Sequence, residues 1–114
     1  MGEKEIEKIL TAEVKRMGGR AYKWLSPGND GVPDRIVILP GKAPVFVELK
    51  SDTGKLSALQ RVQIGRLEQL GQTVFVARGV QGVVRFLKDM GYTAAGEALE
   101  RRCSLAPGER KDGI

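Results

Sequence analysis

The sequence predicts an α/β domain in which a mixed β-sheet is flanked by helices, in the order α-β-β-β-α-β-α. Two observations predict this class: apolar residues recur at helical spacing in three stretches, and short runs of β-branched residues lie between those stretches. The chain has 114 residues, of which 41% are hydrophobic and 29% are charged. This chain length and this ratio of hydrophobic to charged residues are typical of one globular domain with a core of modest size.

The first predicted element is an amphipathic helix over residues 3–17. Its apolar face consists of Ile6, Leu10, Val14 and Met17. Gly18 and Gly19 follow, and glycine commonly ends a helix. A first strand is predicted over 21–25, and the stretch 26–31, which contains Pro, Gly, Asn and Asp, predicts a loop.

The centre of the chain predicts a β-hairpin. Residues 36–39 and 45–47 are short apolar runs that are joined by a turn containing Pro40-Gly41. A polar loop over 51–55 then leads to a second helix over 56–70. The apolar residues of this helix that are expected to face the core are Leu59, Val62, Leu67 and Leu70.

The dense β-branched run 73–77 predicts a buried central strand. A third helix is predicted over 80–90, with an apolar face made of Val83, Val84, Leu87 and Met90. After Gly91 the helical pattern weakens, although 93–102 is compatible with a short helix. The polar stretch 105–114 predicts a disordered tail. The chain therefore divides into a domain over 1–90 and a partly disordered extension over 91–114.

Composition excludes several classes of function. The chain has no histidine, which rules out Ser-His-Asp and Cys-His catalysis and histidine-based zinc sites. One cysteine cannot form an internal disulfide, and no apolar run is long enough for a signal core or a membrane span. We therefore expect a cytoplasmic protein with no membrane partner. The formal net charge of +5 favours a polyanionic partner.

Charged side chains lie at the ends of the two hairpin strands. Asp34 precedes the first strand, and Glu48 and Lys50 end the second. Because side chains alternate along a strand, Glu48 and Lys50 share one face of the sheet while Leu49 points to the other. Burying two carboxylates and an ammonium group is costly without a purpose, and divalent-metal chemistry would provide one. The alternative is an exposed Glu48–Lys50 ion pair worth about 0–1 kcal/mol.

These residues resemble the motif of a known family. Pro33-Asp34 followed by Glu48-x-Lys50 is similar to the P-D…(D/E)-x-K signature of the restriction-endonuclease-like nucleases. Together with Gly31-Val32 before it and the segment 56–60 after it, the pattern looks like the virus-type replication-repair nuclease (VRR-NUC) domain, in its stand-alone phage-type form. The resemblance covers about residues 3 to 87 and implies a restriction-endonuclease-like core.

The resemblance also implies an activity, that of an Mg²⁺- or Mn²⁺-dependent DNA endonuclease. Stand-alone members of the family resemble Holliday-junction resolvases, so we expect a homodimer that acts on four-way or other branched DNA in repair, in a bacterial or phage-infected cell. Two alternatives stay open. One is a non-catalytic DNA-binding module that keeps the fold, and the other is a nuclease subunit of a larger restriction or replication complex.

The motif offers oxygen ligands for a small divalent cation. Asp34 and Glu48 would supply carboxylates, and Leu49 would supply its main-chain carbonyl. Lys50 would orient or deprotonate the attacking water, or stabilise the phosphorane.

Members of the family also carry a metal-binding glutamate at the start of the first helix. At about 100° per residue, Glu3 falls near the centre of the apolar stripe, Glu7 lies on its edge and Glu5 points away. Glu3 is therefore the predicted ligand and Glu7 the alternative.

Gln60 has two interpretations, which are compatible. Ser57-x-x-Gln60 is a capping box, in which the Gln60 side chain reaches back to the Ser57 amide. The resemblance instead places Gln60 in the catalytic site, near Lys50 or the scissile phosphate.

The resemblance places Lys23 and Ser26 against the DNA backbone. Further candidates for phosphate contact, each equally compatible with a solvated surface charge, are Arg35, Lys55, Arg61, Arg66 and Arg78. Two apolar segments are candidates for the dimer surface. One is Tyr22-x-Trp24-Leu25 with the loop behind it, and the other is the segment around Tyr92, Ala94, Ala98 and Leu99.

Overall fold

A four-stranded mixed β-sheet forms the centre of the structure, a computed structural model that describes residues 1–104. The elements are α1 (Glu3–Arg16), β1 (Arg20–Lys23), β2 (Arg35–Ile38), β3 (Val45–Lys50), α2 (Ala58–Gln69), β4 (Thr73–Arg78), α3 (Gly79–Asp89) and α4 (Thr93–Ser104). This succession confirms the predicted order, and α4 follows it. The predicted tail over 105–114 lies outside the described residues. No helix within residues 1–104 has the length and apolar character that crossing a membrane requires.

The strands lie in the order β1-β2-β3-β4. β1, β2 and β3 pair antiparallel, which confirms the predicted hairpin. β4 runs parallel to β3, with Glu48 opposite Val76, and the chain makes this crossover through α2. Glu48 and Lys50 share one face of the sheet and Leu49 lies on the other, as strand alternation predicts.

The core lies on the Leu49 face of the sheet, under α1 and α3. Ile6, Leu10 and Val14 of α1 are fully buried, which confirms the predicted helical stripe. The strand residues in the same apolar cluster include Val37, Val45, Val47 and Leu49. The predicted inner face of α3 is also observed, with Val83, Val84 and Leu87 buried and Met90 packed at the margin of the cluster.

α4 extends this core beyond residue 90. It packs on α3, and its Leu99 is buried in the apolar cluster. Glu13 of α1 is also buried, and its Oε2 accepts hydrogen bonds from Arg16 at 2.9 Å and from Arg102 of α4 at 2.6 Å. The position of Glu13 beside the apolar stripe of α1 did not predict its contact with Arg102, which lies 89 residues further along the chain. The first and last described helices are therefore joined by an ion-pair network.

β4 corrects one prediction, because it is not a central strand. Within the described residues it pairs only with β3 and forms an edge of the sheet. Of its six residues only Ala77 is buried, and Val74, Phe75 and Val76 are half-buried. A β-branched run shows that a strand packs against other elements, but it cannot distinguish a central strand from an edge strand that is covered by helices.

α2 corrects a second prediction, because its expected inner face points outwards. No residue of the helix is buried. Leu59 is 57% exposed, Val62 is 47% exposed and Leu70, the C-cap, is 74% exposed, while Leu67 is half-buried. The side turned towards the sheet carries Gln60, whose amide donates a hydrogen bond to Glu48. The less exposed side of α2 therefore combines Leu67 with a polar contact of Gln60 that apolar periodicity could not reveal.

Candidate active site

The site lies where β2 begins and β3 ends. Asp34 directly precedes β2, and its Oδ2 accepts a hydrogen bond of 2.8 Å from the Leu49 N–H. Its main-chain carbonyl accepts a second bond, of 3.0 Å, from the Trp24 N–H. Because both the side chain and the main chain of Asp34 are fixed, the carboxylate is held beside β3.

The segment Gly31–Pro33 directs the chain into this position. Gly31 has a φ of +91°, which favours glycine, and a Cβ at this residue would lie 2.7 Å from the Leu59 carbonyl carbon in the first turn of α2. Pro33 is fully buried. The positive φ of Gly31, its close packing against α2 and the burial of Pro33 therefore define the path of the chain before Asp34.

Glu48 is the buried carboxylate of the site, with 2% of its surface exposed. Its Oε2 accepts a hydrogen bond of 2.9 Å from Gln60 Nε2 and lies 3.5 Å from Lys50 Nζ. Its Oε1 is buried and has no hydrogen-bond partner among the described residues. Burial, together with the charges of Asp34 and Glu3, raises the pKa of Glu48 to about 7, and Lys50 opposes this shift.

This donor set fits a hard divalent cation. The buried Oε1 of Glu48 has no hydrogen-bond donor among the described residues, and the carboxylate of Asp34 is close enough to raise the Glu48 pKa. In a β-strand, the N–H and the C=O of one residue point towards the same neighbouring strand. Because the Leu49 N–H donates to Asp34 Oδ2, the Leu49 carbonyl also points to the Asp34 side of β3. Within residues 1–104, no three carboxylate or thiol side chains are already gathered at ligating distance.

The three glutamates at the start of α1 have different surroundings. Glu5 accepts a hydrogen bond from the Gly2 N–H at 3.1 Å and belongs to the helix cap. Glu7 accepts a hydrogen bond of 2.6 Å from Arg35 Nε and lies 4.0 Å from Lys23 Nζ. Glu3 has no such partner among the described residues, and its charge acts on Glu48. Of the two predicted alternatives, Glu3 is the one whose charge raises the Glu48 pKa and which has no ion pair among the described residues.

Gln60 makes the capping contacts of the first interpretation, and its side chain also reaches the candidate site, where its partner is Glu48. Its Oε1 accepts a hydrogen bond of 2.9 Å from the Ser57 N–H, and its own N–H donates to Ser57 Oγ at 3.1 Å, which confirms the capping box. Its Nε2 donates a hydrogen bond of 2.9 Å to Glu48 Oε2, whereas the resemblance placed Gln60 near Lys50 or the scissile phosphate. One side chain therefore fixes both the start of α2 and the orientation of the buried carboxylate.

The predicted DNA-contacting residues fall into two groups. Some have intramolecular partners: Arg35 donates to Glu7 and to the Ala21 carbonyl, Arg78 donates to the Gly54 carbonyl, and Ser26 accepts from Asn29. The others are exposed at the surface: Lys55, Arg61 and Arg66, and also Lys23, which lies 4.0 Å from Glu7 Oε2. Arg35 is thus a cation of the fold as well as a candidate for phosphate contact.

Three further lysines were not predicted as binding residues. Lys4, Lys8 and Lys15 lie on the exposed side of α1, and they line a groove with Lys23 and Arg35. The signal in the sequence is their spacing of four and seven residues, which places them on one side of a helix.

The sheet order and the acidic and basic residues at the ends of β2 and β3 define a restriction-endonuclease-like α/β domain. No protein-family model matches the chain. Over 74 residues the chain is 47% identical to a protein of Acyrthosiphon pisum secondary endosymbiont phage 1 that is described as "Putative nuclease p44". The aligned segment spans 65% of this chain and 80% of the phage protein.

Two solved structures are similar to this fold. One, described as "VRR_NUC domain", has a TM-score of 0.71 and 29% identity and covers 75% of this chain and 94% of that chain. The other, described as "VRR_NUC domain protein", has a TM-score of 0.64 over 77% of this chain and 86% of that chain, and at 20% identity it supports the fold alone. The chain belongs to the VRR-NUC family.

Proposed function

We propose that the chain is an Mg²⁺- or Mn²⁺-dependent endonuclease that hydrolyses phosphodiester bonds in branched DNA. The observation that carries this proposal is the buried Glu48 carboxylate, whose Oε1 has no hydrogen-bond partner among the described residues and which lies beside Asp34. A buried, unpaired carboxylate oxygen is costly to the fold, and a bound cation would offset that cost. The nuclease description of the phage relative supports the same activity.

Four groups would hold the cation. Asp34 and Glu48 would provide carboxylate oxygens, Leu49 its carbonyl, and Glu3 would complete the set from α1. Gln60 would keep Glu48 Oε2 occupied by its 2.9 Å hydrogen bond, so that Oε1 stays directed to the site. When bound, Mg²⁺ or Mn²⁺ would stabilise charge on the phosphate and lower the pKa of a water molecule.

Lys50 would act on the substrate directly. Its side chain is 11% exposed, and its Nζ lies 3.5 Å from Glu48 Oε2. A mostly buried ammonium group so close to the carboxylate can donate a hydrogen bond to a phosphate oxygen or to the attacking water. Charge that develops on the phosphorane would be stabilised in a site with little bulk water. Lys50 is therefore proposed as a catalytic residue.

The substrate would be a four-way junction or other branched DNA, cut by a homodimer in the cytoplasm of a bacterial or phage-infected cell. Each chain presents one such site, and two symmetric cuts need two of them. The first predicted dimer segment supports this assembly, since Tyr22 is 56% exposed and Leu25 is 75% exposed. The second segment is less suited, because Leu99 is buried in the core.

The experiment is to incubate the purified protein with linear duplex, flap and four-way-junction DNA, in Mg²⁺, in Mn²⁺ and in EDTA. The proposal expects cleavage of the junction in either metal and none in EDTA. Undiminished cutting in EDTA would contradict the metal mechanism. Binding of DNA without cleavage in either metal would instead support a non-catalytic binding module.

A further inference from the structure

A basic groove runs along the exposed side of α1, and Asp34, Glu48 and Lys50 are not among the residues that line it. It has a volume of about 440 Å³, and it is lined on the α1 side by Lys4, Glu7, Lys8, Thr11, Ala12 and Lys15. Lys23 of β1 and Arg35 of β2 close it on the sheet side. Five cations therefore face one carboxylate.

The charge of the groove is only partly compensated within the described residues. Glu7 is paired with Arg35 at 2.6 Å and lies 4.0 Å from Lys23. Lys4, Lys8 and Lys15 are exposed, and they take part in none of the ion pairs of residues 1–104. Like charges four residues apart on a helix repel one another. A polyanion in the groove would relieve this repulsion.

The spacing of the lysines fits a nucleic-acid backbone. Lys4, Lys8 and Lys15 fall within about 40° of one another around the helix, at 100° per residue. Along the axis they extend over about 16 Å, at a rise of 1.5 Å per residue. This length corresponds to about five nucleotides of one strand of a duplex. A row of cations over several nucleotides tracks a backbone better than it binds a single small anion.

One end of the groove adjoins the candidate active site. Lys4 directly follows Glu3, and Arg35 directly follows Asp34. A duplex arm whose scissile phosphate lies between Asp34 and Lys50 can thus continue along α1. We propose that Lys4, Lys8 and Lys15 form a phosphate-binding track for the duplex arm next to the scissile bond. This inference rests on the proposed nuclease function and names a binding surface for its substrate.

The test is the salt dependence of binding to a four-way junction, measured by fluorescence anisotropy in EDTA, so that no cleavage occurs. Lys8→Gln/Lys15→Gln removes two charges while keeping long, helix-compatible side chains. The matched control, Arg85→Gln/Arg101→Gln, removes two charges from exposed positions of α3 and α4 that line no part of the groove.

The lysine variant should lower the slope of log affinity against log salt by about 2, since each phosphate contact contributes about 0.9. Its loss of affinity relative to the wild type should accordingly be about tenfold larger at 50 mM than at 200 mM salt. The arginine control should keep the wild-type slope. An unchanged slope in the lysine variant, or an equal fall in the control, would overturn the proposal. Failure of the nuclease function would appear separately, as a lack of cleavage in Mg²⁺ by a protein whose binding slopes still differ.

Discussion

Glu48 combines three properties that conflict in a protein without a ligand. It is 2% exposed, one of its carboxylate oxygens has no hydrogen-bond partner among the described residues, and its pKa is raised to about 7. Burial and the missing hydrogen bond disfavour the ionised carboxylate, and the raised pKa expresses this. The contacts with Gln60 and Lys50 nevertheless hold the group in place. Carboxylates with perturbed pKa values are concentrated at functional sites. The surrounding structure compensates there for a local arrangement that is unfavourable on its own.

A pH dependence of stability follows from this pKa. The folded state holds a proton on Glu48 up to about pH 7, whereas the unfolded state loses it near 4.5, its ordinary pKa. Between these values the folded state binds more protons, so the free energy of unfolding should fall as the pH rises, by up to about 1.4 kcal/mol per pH unit. Urea unfolding in EDTA at pH 5, 6, 7 and 8 measures this slope.

Glu48→Gln should flatten that slope, and the exposed Glu68→Gln should leave it as in the wild type. In metal-free buffer at pH 8, Glu48→Gln should also melt at a higher temperature than the wild type, since it removes a buried charge beside Asp34. An equally steep slope in Glu48→Gln would contradict the assignment of the pH effect to this residue.

The glutamates of α1 allow a comparison between neighbouring positions. Glu3→Gln should lower the rate of junction cleavage most, because Glu3 acts on Glu48 and has no cation partner among the described residues. Glu7→Gln should mainly change the stability of the fold and the affinity for DNA, because it removes the ion pair with Arg35. Glu5→Gln should leave the cleavage rate unchanged, as Glu5 belongs to the helix cap. A larger loss of cleavage rate in Glu7→Gln than in Glu3→Gln would show that the wrong glutamate has been assigned.

At the scale of secondary-structure elements, the spacing of apolar residues predicted those features of the fold that depend on burying apolar side chains. The stripe of α1, the hairpin and the inner face of α3 follow from the spacing of apolar residues, and all three are present. The rotation of α2 does not follow from it, because Gln60 faces Glu48 while Leu59 and Val62 stay exposed. The position of β4 at an edge also depends on strand pairing between distant segments, which local sequence does not encode.

In the candidate site, too, some features could be predicted from the sequence and others could not. The motif Asp34, Glu48 and Lys50 could be recognised from its spacing on two strands that pair. The hydrogen bond from Gln60 to Glu48, the pairing of Glu7 with Arg35 and the contact of the buried Glu13 with Arg102 could not. Each of these contacts joins elements that the chain brings together only when the sheet and its helices have formed.

Gly31 joins the site loop to α2, and this contact can be tested. Gly31→Ala should destabilise the protein more than Gly28→Ala does. Both glycines have a positive φ, of +91° and +81°, which costs alanine about 1–2 kcal/mol. Only at Gly31 does the added Cβ also meet main-chain atoms of Leu59 and Gln60, within 3 Å, whereas nothing lies within 4 Å at Gly28. Urea unfolding at 25 °C compares the two variants, and equal losses of stability would contradict the packing argument.

At the scale of the whole molecule, the apolar surface near the site is the expected dimer interface. Tyr22 and Leu25 are exposed, and Tyr22 lies opposite Ile36 in the sheet, on the Glu48 face. Light scattering at micromolar concentration should give twice the mass of one chain. Tyr22→Lys should shift the protein towards a monomer, because a charge in an apolar interface is costly.

Leu70→Lys provides the control for this prediction. Leu70 is 74% exposed, and it follows α2 at the opposite end of the sheet from the site. The mass of this variant should remain that of a dimer. A wild-type monomer that still makes paired symmetric cuts in a junction would refute the assembly while leaving the nuclease proposal intact.

The most direct test of the central claim is the rate of four-way-junction cleavage in Mg²⁺ by the wild type, Asp34→Asn and Glu48→Gln. Both variants keep the size and shape of the side chain they replace, so circular dichroism should show an unchanged fold. Replacing residues that only support a metal ligand costs 10–100-fold, so loss of a ligand itself should lower the rate by at least about hundredfold. Near-normal cleavage by either folded variant would contradict the assignment of these two carboxylates as the metal site.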